Sequence, residues 1–504
     1  SVRQILLLVS KIELDVKPSR KRAALRAYVE TDVQLEEIPE TDLSVFRKVS
    51  RNLLGSYLSV VEASLWSGDW RPRHSSGALA TRESYNSRFS IRTWTERLQE
   101  VFPWWEDLAV NPHEIIDFGE EFSVLARDDE PPVRVTTVPK TMKAPRIIAM
   151  EPSWIQYVQQ GILHVMTDVL HEDRFRPLAD IFSWMDQEPN RALAQEGSLN
   201  GTFATLDLSE ASDRVSLELV ESLLSSTPLL RRMVLAARSE RAMLRSGKVV
   251  RLKKFASMGS ALCFPIESMV FFIIESIAYA EHRGIVPEQL RIRDLPRMRV
   301  FGDDLIVPTT VAQTLMSRLQ TYGLKVNTRK SFTTGPFRES CGSDWFCGKD
   351  VSVFKIRAPF PTSTRQVQLI DKTIQFHNNA YSAGWFLVAS VVEEQLKSVL
   401  PYVPRVPYGT ALPGLWSWEG PFVVRSDPRL QRAQYKVLIL KQAKPVDPLD
   451  GYGALRKFFA PRPQETDSTT AIVGFLETRD RDHLQRDGRS RYVGVHIGWM
   501  VEPL

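Results

Sequence analysis

Polar and apolar residues alternate from Thr202 to Leu208, with Phe203, Thr205 and Asp207 set against Ala204, Leu206 and Leu208. That period of two predicts a buried strand ending in an acid, with helix following from Ser209. Between Arg299 and Pro308, two short apolar arms, Val300-Phe301 and Leu305-Ile306-Val307, flank Gly302-Asp303-Asp304. The pattern predicts a hairpin with aspartates at its tip. Beyond it, Thr310 and Gln313 suit a capping box, Val311, Leu315, Leu319 and Tyr322 recur on one helical face, and Gly323 closes the element. Strands interleaved with helices predict an α+β core.

Composition narrows the class without naming a function. The 504 residues are 43% hydrophobic and 25% charged, with 31 prolines and 25 glycines spread along the chain, which excludes a disordered, collagenous or coiled-coil protein. Breaks at Asp128 to Pro132, at the prolines from Pro401 to Pro413, and at Pro461 to Thr470 divide the chain into an N-terminal region, a central unit of residues 134–360 and a C-terminal region. Three cysteines (Cys263, Cys341, Cys347) provide neither a paired framework nor a zinc spacing, which suits a reducing compartment. Ile5 to Val9 is too short for a signal peptide, and Met269 to Ile274, between Glu267 and Glu275, is too short for a membrane span. No membrane association is expected.

The net charge of +5 is compatible with a polyanionic partner but is small for this length. Local clusters say more. Arg232, Arg238, Arg241, Arg245, Lys248, Arg251 and Lys253 stand against the single acid Glu240, and Lys17, Arg20, Lys21, Arg22 and Arg26 crowd a second segment. Either cluster also fits a plain solvated face.

Asp207 at a strand end, with Asp303 and Asp304 at a hairpin tip, forms the candidate centre. Clustered carboxylates repel each other unless hard cations neutralise them, and an oxygen-only donor set suits Mg²⁺, which keeps waters and takes substrate phosphates as ligands. Two such ions can activate a hydroxyl and stabilise a leaving pyrophosphate, so the chemistry implied is nucleotidyl transfer. Gly-Asp-Asp alone also occurs as an ordinary solvated turn. Apolar arms on both sides and an acid-ended strand upstream favour the metal reading.

The ordered blocks extend this. VPKTMKAPR (Val138 to Arg146) with Glu151-Pro152, TLDLSEASDRVS (Thr205 to Ser216), SMGSALCFPIES (Ser257 to Ser268), VFGDDLIVP (Val300 to Pro308), and NTRKSF (Asn327 to Phe332) running into FRESCG (Phe337 to Gly342) follow one another in register. The set resembles the RNA-directed RNA polymerases of positive-strand RNA viruses, most closely the replicase β subunit of the single-stranded RNA bacteriophages, the levivirus group. The resemblance makes Asp207, Asp303 and Asp304 the metal ligands, for two Mg²⁺ ions or for Mn²⁺ in their place. Lys330 resembles the family's proposed general acid to pyrophosphate. Lys140, Lys143 and Arg146 match the fingers motif lining the nucleotide channel, and as cations without an intervening acid they suit a triphosphate. Asp213 resembles the residue that senses the ribose 2′-hydroxyl, although an acid there also suits a helix N-terminus. Ser257 and Gly259 lie in a small-residue loop that permits close approach of a nucleotide or template, and Glu267 is a further nucleotide-site residue of this block. Phage replicases commonly carry threonine at the position of Cys263 and glycine at that of Ala261, which puts any hydroxyl-based role there in doubt. Phe337 to Ile356 resembles the hairpin joining palm to thumb, with Arg338, Trp345 and Lys349 placed to meet the growing strand; Cys341 and Cys347 read as core packing.

The architecture implied is a right hand with an antiparallel-sheet palm. Its expected parts are an N-terminal region and fingers (1–133), fingers with the nucleotide motif (134–200), palm (201–225), a fingers/palm insertion (226–256), palm (257–360), and thumb with C-terminal region (361–504). The resemblance implies RNA synthesis from ribonucleoside triphosphates on an RNA template, with unprimed initiation, in the cytoplasm of an infected bacterium. It also implies host partners: elongation factors Tu and Ts and an RNA-binding ribosomal protein. Two other readings stay open: another palm polymerase, such as a reverse transcriptase or narnavirus-like replicase, and a catalytically silent RNA-binding subunit.

Overall fold

Helix α1 (Pro18–Val33) begins on a proline, and α2 (Glu40–Trp66) follows. Along α2, Phe46, Val49, Leu53, Tyr57, Val61 and Leu65 recur every three or four residues and are all buried, so one stripe of the helix faces the core. This computed structural model describes residues 2–459 and 491–501, apart from residues 15, 69, 71, 76, 120, 142, 143, 430, 444 and 445. Lys143 and the break at Pro461 to Thr470 therefore lie outside the described residues.

Next come β1 (Val133–Val138), β2 (Arg146–Met150), α3 (Ser153–Leu170) and α4 (Glu188–Asn200). Strand β3 (Phe203–Ser209) leads into two short helices, α5 (Ala211–Arg214) and α6 (Leu217–Leu223). The expected helix from Ser209 is thus interrupted. Glu210 takes a left-handed φ of 57°, Val215 is extended, and Ser216 restarts the helix by accepting a hydrogen bond from the Leu219 amide. The hairpin of β4 (Arg241–Met243) and β5 (Val249–Arg251) precedes α7 (Cys263–Arg283). Glu267 and Glu275 lie inside α7 rather than bounding it, correcting the short apolar stretch expected from sequence. By length and composition α7 could cross a membrane, yet 89% of its apolar window is buried within the protein.

Strands β6 (Arg299–Phe301) and β7 (Asp304–Pro308) form the expected hairpin, followed by α8 (Ala312–Thr321) and β8 (Lys325–Val326). The capping box does not form: Thr310 lies in a 3₁₀ turn, and α8 starts from Val311 without a side-chain cap. Strands β9 (Phe337–Ser340), β10 (Ser343–Phe346) and β11 (Lys349–Asp350) make a small antiparallel sheet. Helices α9 (Val367–Ser382) and α10 (Phe386–Lys397) pair, and β12 (Ala433–Ala443) runs antiparallel to β13 (Arg491–Val501).

The sheet that positions the candidate site has the order β8-β3-β7-β6 and is antiparallel throughout. Both faces are covered. Phe203 and Ile306 pack on Leu193 and Ala194 of α4, while Ala204, Leu206, Leu305 and Val307 join the large core containing α2, α3 and α7. Alternate side chains point to opposite faces. Asp207 and Asp304 therefore share the α4 face. A separate cluster around Ile370, Ile374, Leu396, Leu415 and Leu438 forms the core of the C-terminal region.

Candidate active site

Asp207 and Asp304 are direct register partners across β3 and β7, and Phe301 opposite Asp304 leaves Gly302 and Asp303 as the two-residue turn. A pair of strands thus brings together acids far apart in sequence. Gly302 is required at the turn: its φ is 58°, and a Cβ there would stand 2.2 Å from the Phe264 ring. Its amide donates to Ser268 Oγ at 3.1 Å, so α7 holds the tip from behind.

The Asp207 carboxylate is held from the other side. Asn327 Nδ2 donates to Oδ2 at 2.7 Å, and Lys330 Nζ lies 3.4 Å from Oδ1. The segment after β8 reaches back because Asn327 N donates to the Asp207 carbonyl and Phe332 pairs with Thr205 through reciprocal amide bonds. Burial acts to lower the Lys330 ammonium, but the carboxylates of Asp207 and Glu339 outweigh it and hold it above its usual value.

Asp303 and Asp304 carry the repulsion. The Asp303 side chain meets solvent at the turn, yet the protein around it removes enough water that desolvation, then the charge of Asp207, raises its carboxyl. Asp304 is pushed up to about 7 by burial and then by Asp303, while a hydrogen bond from the Cys341 backbone opposes the shift. Lys140, exposed at the end of β1, is close enough for both Asp303 and Asp207 to act on it; burial, Arg146 and Lys330 nevertheless lower its ammonium. Arg146 opens β2 and is itself exposed.

Among the described residues no group of three or more His, Cys, Asp or Glu side chains is gathered closely enough to hold a metal by itself. The donor chemistry still fits: the acids are hard oxygen donors, and Asp303 and Asp304 bear a like-charge strain that a divalent cation would relieve.

The remaining nucleotide-site candidates lie on α5, on α7 and in the loop before α7. Asp213 on α5 accepts from Lys254 Nζ at 2.8 Å; that ammonium is fully buried and lies 3.4 Å from the centroid of the Tyr28 ring. Tyr28 in turn shares a 2.7 Å hydroxyl–hydroxyl bond with Ser257, and burial raises its phenol. Glu267 is buried on α7, where desolvation and then the charges of Asp303 and Asp213 push its carboxyl far upward; the Cys263 thiol donates to it at 3.9 Å. The close approach permitted by Gly259 is made within the chain. Its φ is 128°, and a Cβ would stand 2.0 Å from the Ala149 carbonyl oxygen of β2.

Arg338 does not reach a cleft: it is buried and donates to the carbonyls of Phe203, Gly335 and Phe337. Trp345 packs half-buried against the α4 face, and Lys349 is exposed. Cys341 is buried beside Asp304 as expected, whereas Cys347 is exposed in a turn with φ 49°. Sequence reasoning missed Asn327, Lys254 and Tyr28 as site residues. Asn327 lay within a quoted block, but Tyr28 and Lys254 join the site only through tertiary packing.

The RNA replicase, beta-chain family model matches residues 40–378. The chain is 36% identical over 302 residues to the RNA-directed RNA polymerase subunit beta of Enterobacteria phage SP, covering 58% of this chain and 48% of that one. It is 37% identical over 236 residues to the corresponding subunit of Escherichia virus Qbeta, covering 47% and 37%. Among solved structures, a deletion mutant of a human picobirnavirus RNA-dependent RNA polymerase superposes with a TM-score of 0.36 and 11% identity, over 53% of this chain and 57% of that one. The chain spans about half the length of the curated relatives it matches, or less. A family match over two thirds of the sequence, across the strand and hairpin that pair Asp207 with Asp304, shows that the chain belongs to the RNA replicase beta-chain family.

Proposed function

We propose that this chain is an RNA-directed RNA polymerase that extends RNA by nucleotidyl transfer from ribonucleoside triphosphates on an RNA template. The observation that carries the reading is the register pair Asp207–Asp304 with Asp303 at the adjoining turn, flanked by Lys330 and Lys140. Asp207, Asp303 and Asp304 would hold divalent cations, Mg²⁺ first and Mn²⁺ in substitution. Bound there, two such ions would supply Lewis-acid stabilisation of the attacking and leaving oxygens.

The chain's own residues do the rest. Lys140 and Arg146, with Lys143 beside them in sequence, attract the triphosphate, and desolvation of Lys140 strengthens that attraction. Lys330, kept charged by its carboxylate neighbours, supplies a positive charge and a proton at the leaving group. Asn327 fixes the direction of the Asp207 carboxylate. Asp213, held by Lys254, reads the ribose 2′-hydroxyl, and Ser257 stands next to it through Tyr28.

In this reading the β8-β3-β7-β6 sheet is the palm, the β1–β2 pair and its neighbours belong to the fingers, and the region after residue 360 is the thumb. The family's habit of unprimed initiation in the bacterial cytoplasm, with elongation factors Tu and Ts and a ribosomal RNA-binding protein, extends to this chain as part of the proposal. The test is incubation of the purified chain, alone and with bacterial extract, with single-stranded RNA, Mg²⁺ and labelled nucleotides. Template-dependent ribonucleotide incorporation is expected. Incorporation of deoxyribonucleotides instead would mark a reverse transcriptase, and RNA binding without incorporation a silent subunit.

A further inference from the structure

The two basic segments of the sequence, distant along the chain, meet in space. Helix α1 and the turn of the β4–β5 hairpin wall an open groove of about 1070 Å³. Lys21, Arg22 and Arg26 line it from α1, and Arg245 and Lys248 from the hairpin turn; Glu30 is the one acid among its lining residues. Leu25, Val29 and Leu244 form an apolar floor against the cluster of Tyr28, Val133, Ala242 and Leu252. The groove shares no lining residue with the carboxylate centre.

The cations here differ from their sequence neighbours. Arg238 is buried and donates to the carbonyls of Leu252, Lys254 and Phe255, Arg241 donates to those of Asp128 and Glu130, and Lys254 pairs with Asp213. Those three are already engaged within the chain. Among the described residues, the side chains of Arg22, Arg26, Arg245 and Lys248 have no hydrogen-bond or ion-pair partner. Converging unneutralised cations cost free energy through repulsion and are relieved by a polyanion.

We propose that this groove is a second RNA-binding site, holding the sugar-phosphate backbone of single-stranded RNA outside the carboxylate centre. The inference rests on the reading of RNA as the chain's substrate. Arginine forks match phosphate oxygens, and an open trough with an apolar floor accepts ribose and base faces above which the phosphates are held. Position favours RNA over an acidic protein segment. The same α1 helix that lines the groove carries Tyr28 to Ser257 and Lys254, so one helix borders both the trough and the proposed ribose-reading residues.

The test compares the full chain with the combined Arg22→Ala, Arg26→Ala, Arg245→Ala variant, without nucleotides, in binding labelled oligouridine across a salt series. Removing three phosphate contacts is expected to lower affinity at least about tenfold at low salt and to reduce the salt slope by about two. Should that variant not fold by circular dichroism, Arg245→Glu and Lys248→Glu, both at the exposed hairpin turn, carry the same comparison. Unchanged affinity and slope would overturn the proposal. So would intact RNA binding with loss of binding to a polyglutamate chain, which would assign the groove to an acidic protein. Nucleotide incorporation by the wild type, measured separately, keeps the two readings apart: incorporation with groove-independent RNA binding removes only the groove, and groove-dependent binding without incorporation removes only the polymerase.

Discussion

Lys254 and Asp213 form an ion pair at 2.8 Å in which the ammonium is fully buried and the carboxylate side chain is 24% exposed. The asymmetry decides which partner is dearer to lose. Asp213→Ala leaves a buried ammonium with only the Tyr28 face for company and is expected to destabilise the fold by about 3 kcal/mol. Lys254→Met leaves a carboxylate that water reaches, at about half that cost or less. Denaturant titration of both variants checks the order. Under the proposed function Lys254→Met also lowers the preference for ribonucleotides over deoxyribonucleotides while RNA affinity stays constant; unaltered sugar preference in a folded variant would remove Lys254 as a positioning residue.

Asp303→Asn keeps the size of the turn residue but removes a charge from the carboxylate centre. Incorporation is expected to fall on the order of 10²–10³-fold or more while RNA binding persists. Single-turnover incorporation beside a binding titration distinguishes this from misfolding.

The carboxyl of Asp304, raised to about 7, ties the site to pH. Its folded value lies above its unfolded one, so its contribution to stability is fully present below the unfolded value near 3.8 and is lost as pH rises through about 7. Without divalent cations, Asp304→Asn should flatten the pH dependence of stability over that window and stabilise the chain at pH 8. Divalent cations require the ionised form. Adding Mg²⁺ at pH 6 should therefore release protons, measurable by calorimetry in buffers of different ionisation enthalpy, and the variant should release fewer.

Gly302→Ala places a methyl group against the Phe264 ring and keeps a φ that alanine tolerates poorly. A loss of about 2–3 kcal/mol is expected. Adding Phe264→Ala should not restore the wild-type stability, because it relieves the clash, leaves the backbone strain and opens a cavity against Phe301.

Lys140→Ala should raise the apparent nucleotide KM about tenfold with little change in template affinity, since its charge is felt at the carboxylate centre. Equal nucleotide titrations for wild type and variant would end that assignment.

The strand and hairpin were legible because their information is local: a period of two, a glycine-bearing turn, and acids at element ends. The sequence grouped these acids into one candidate centre; the direct register of Asp207 against Asp304 is a property of the assembled sheet. What sequence did not disclose is long-range. Arg338 stood among residues expected to meet RNA, yet carbonyls at Phe203, Gly335 and Phe337 needed donors, and a long guanidinium met them from inside. Tyr28 and Asp32 reached the site from the N-terminal helix, the latter accepting from the amides of Lys253 and Lys254. Lys254 stands at the end of a basic run and nothing local marks it as buried, because burial is a property of the assembled fold.

The two sides of the acidic centre are mounted on different supports, with Gly302 anchored by Ser268 of α7 and Asp207 by Asn327 after β8. Among the described residues, the ladder between β3 and β7 is what joins them directly. Slight slippage of either support would widen or narrow the gap between the acids while leaving each mounting intact. Under the proposed function, tuning of the centre can thus arise from changes deep in a helix or beyond an edge strand, away from the acids themselves.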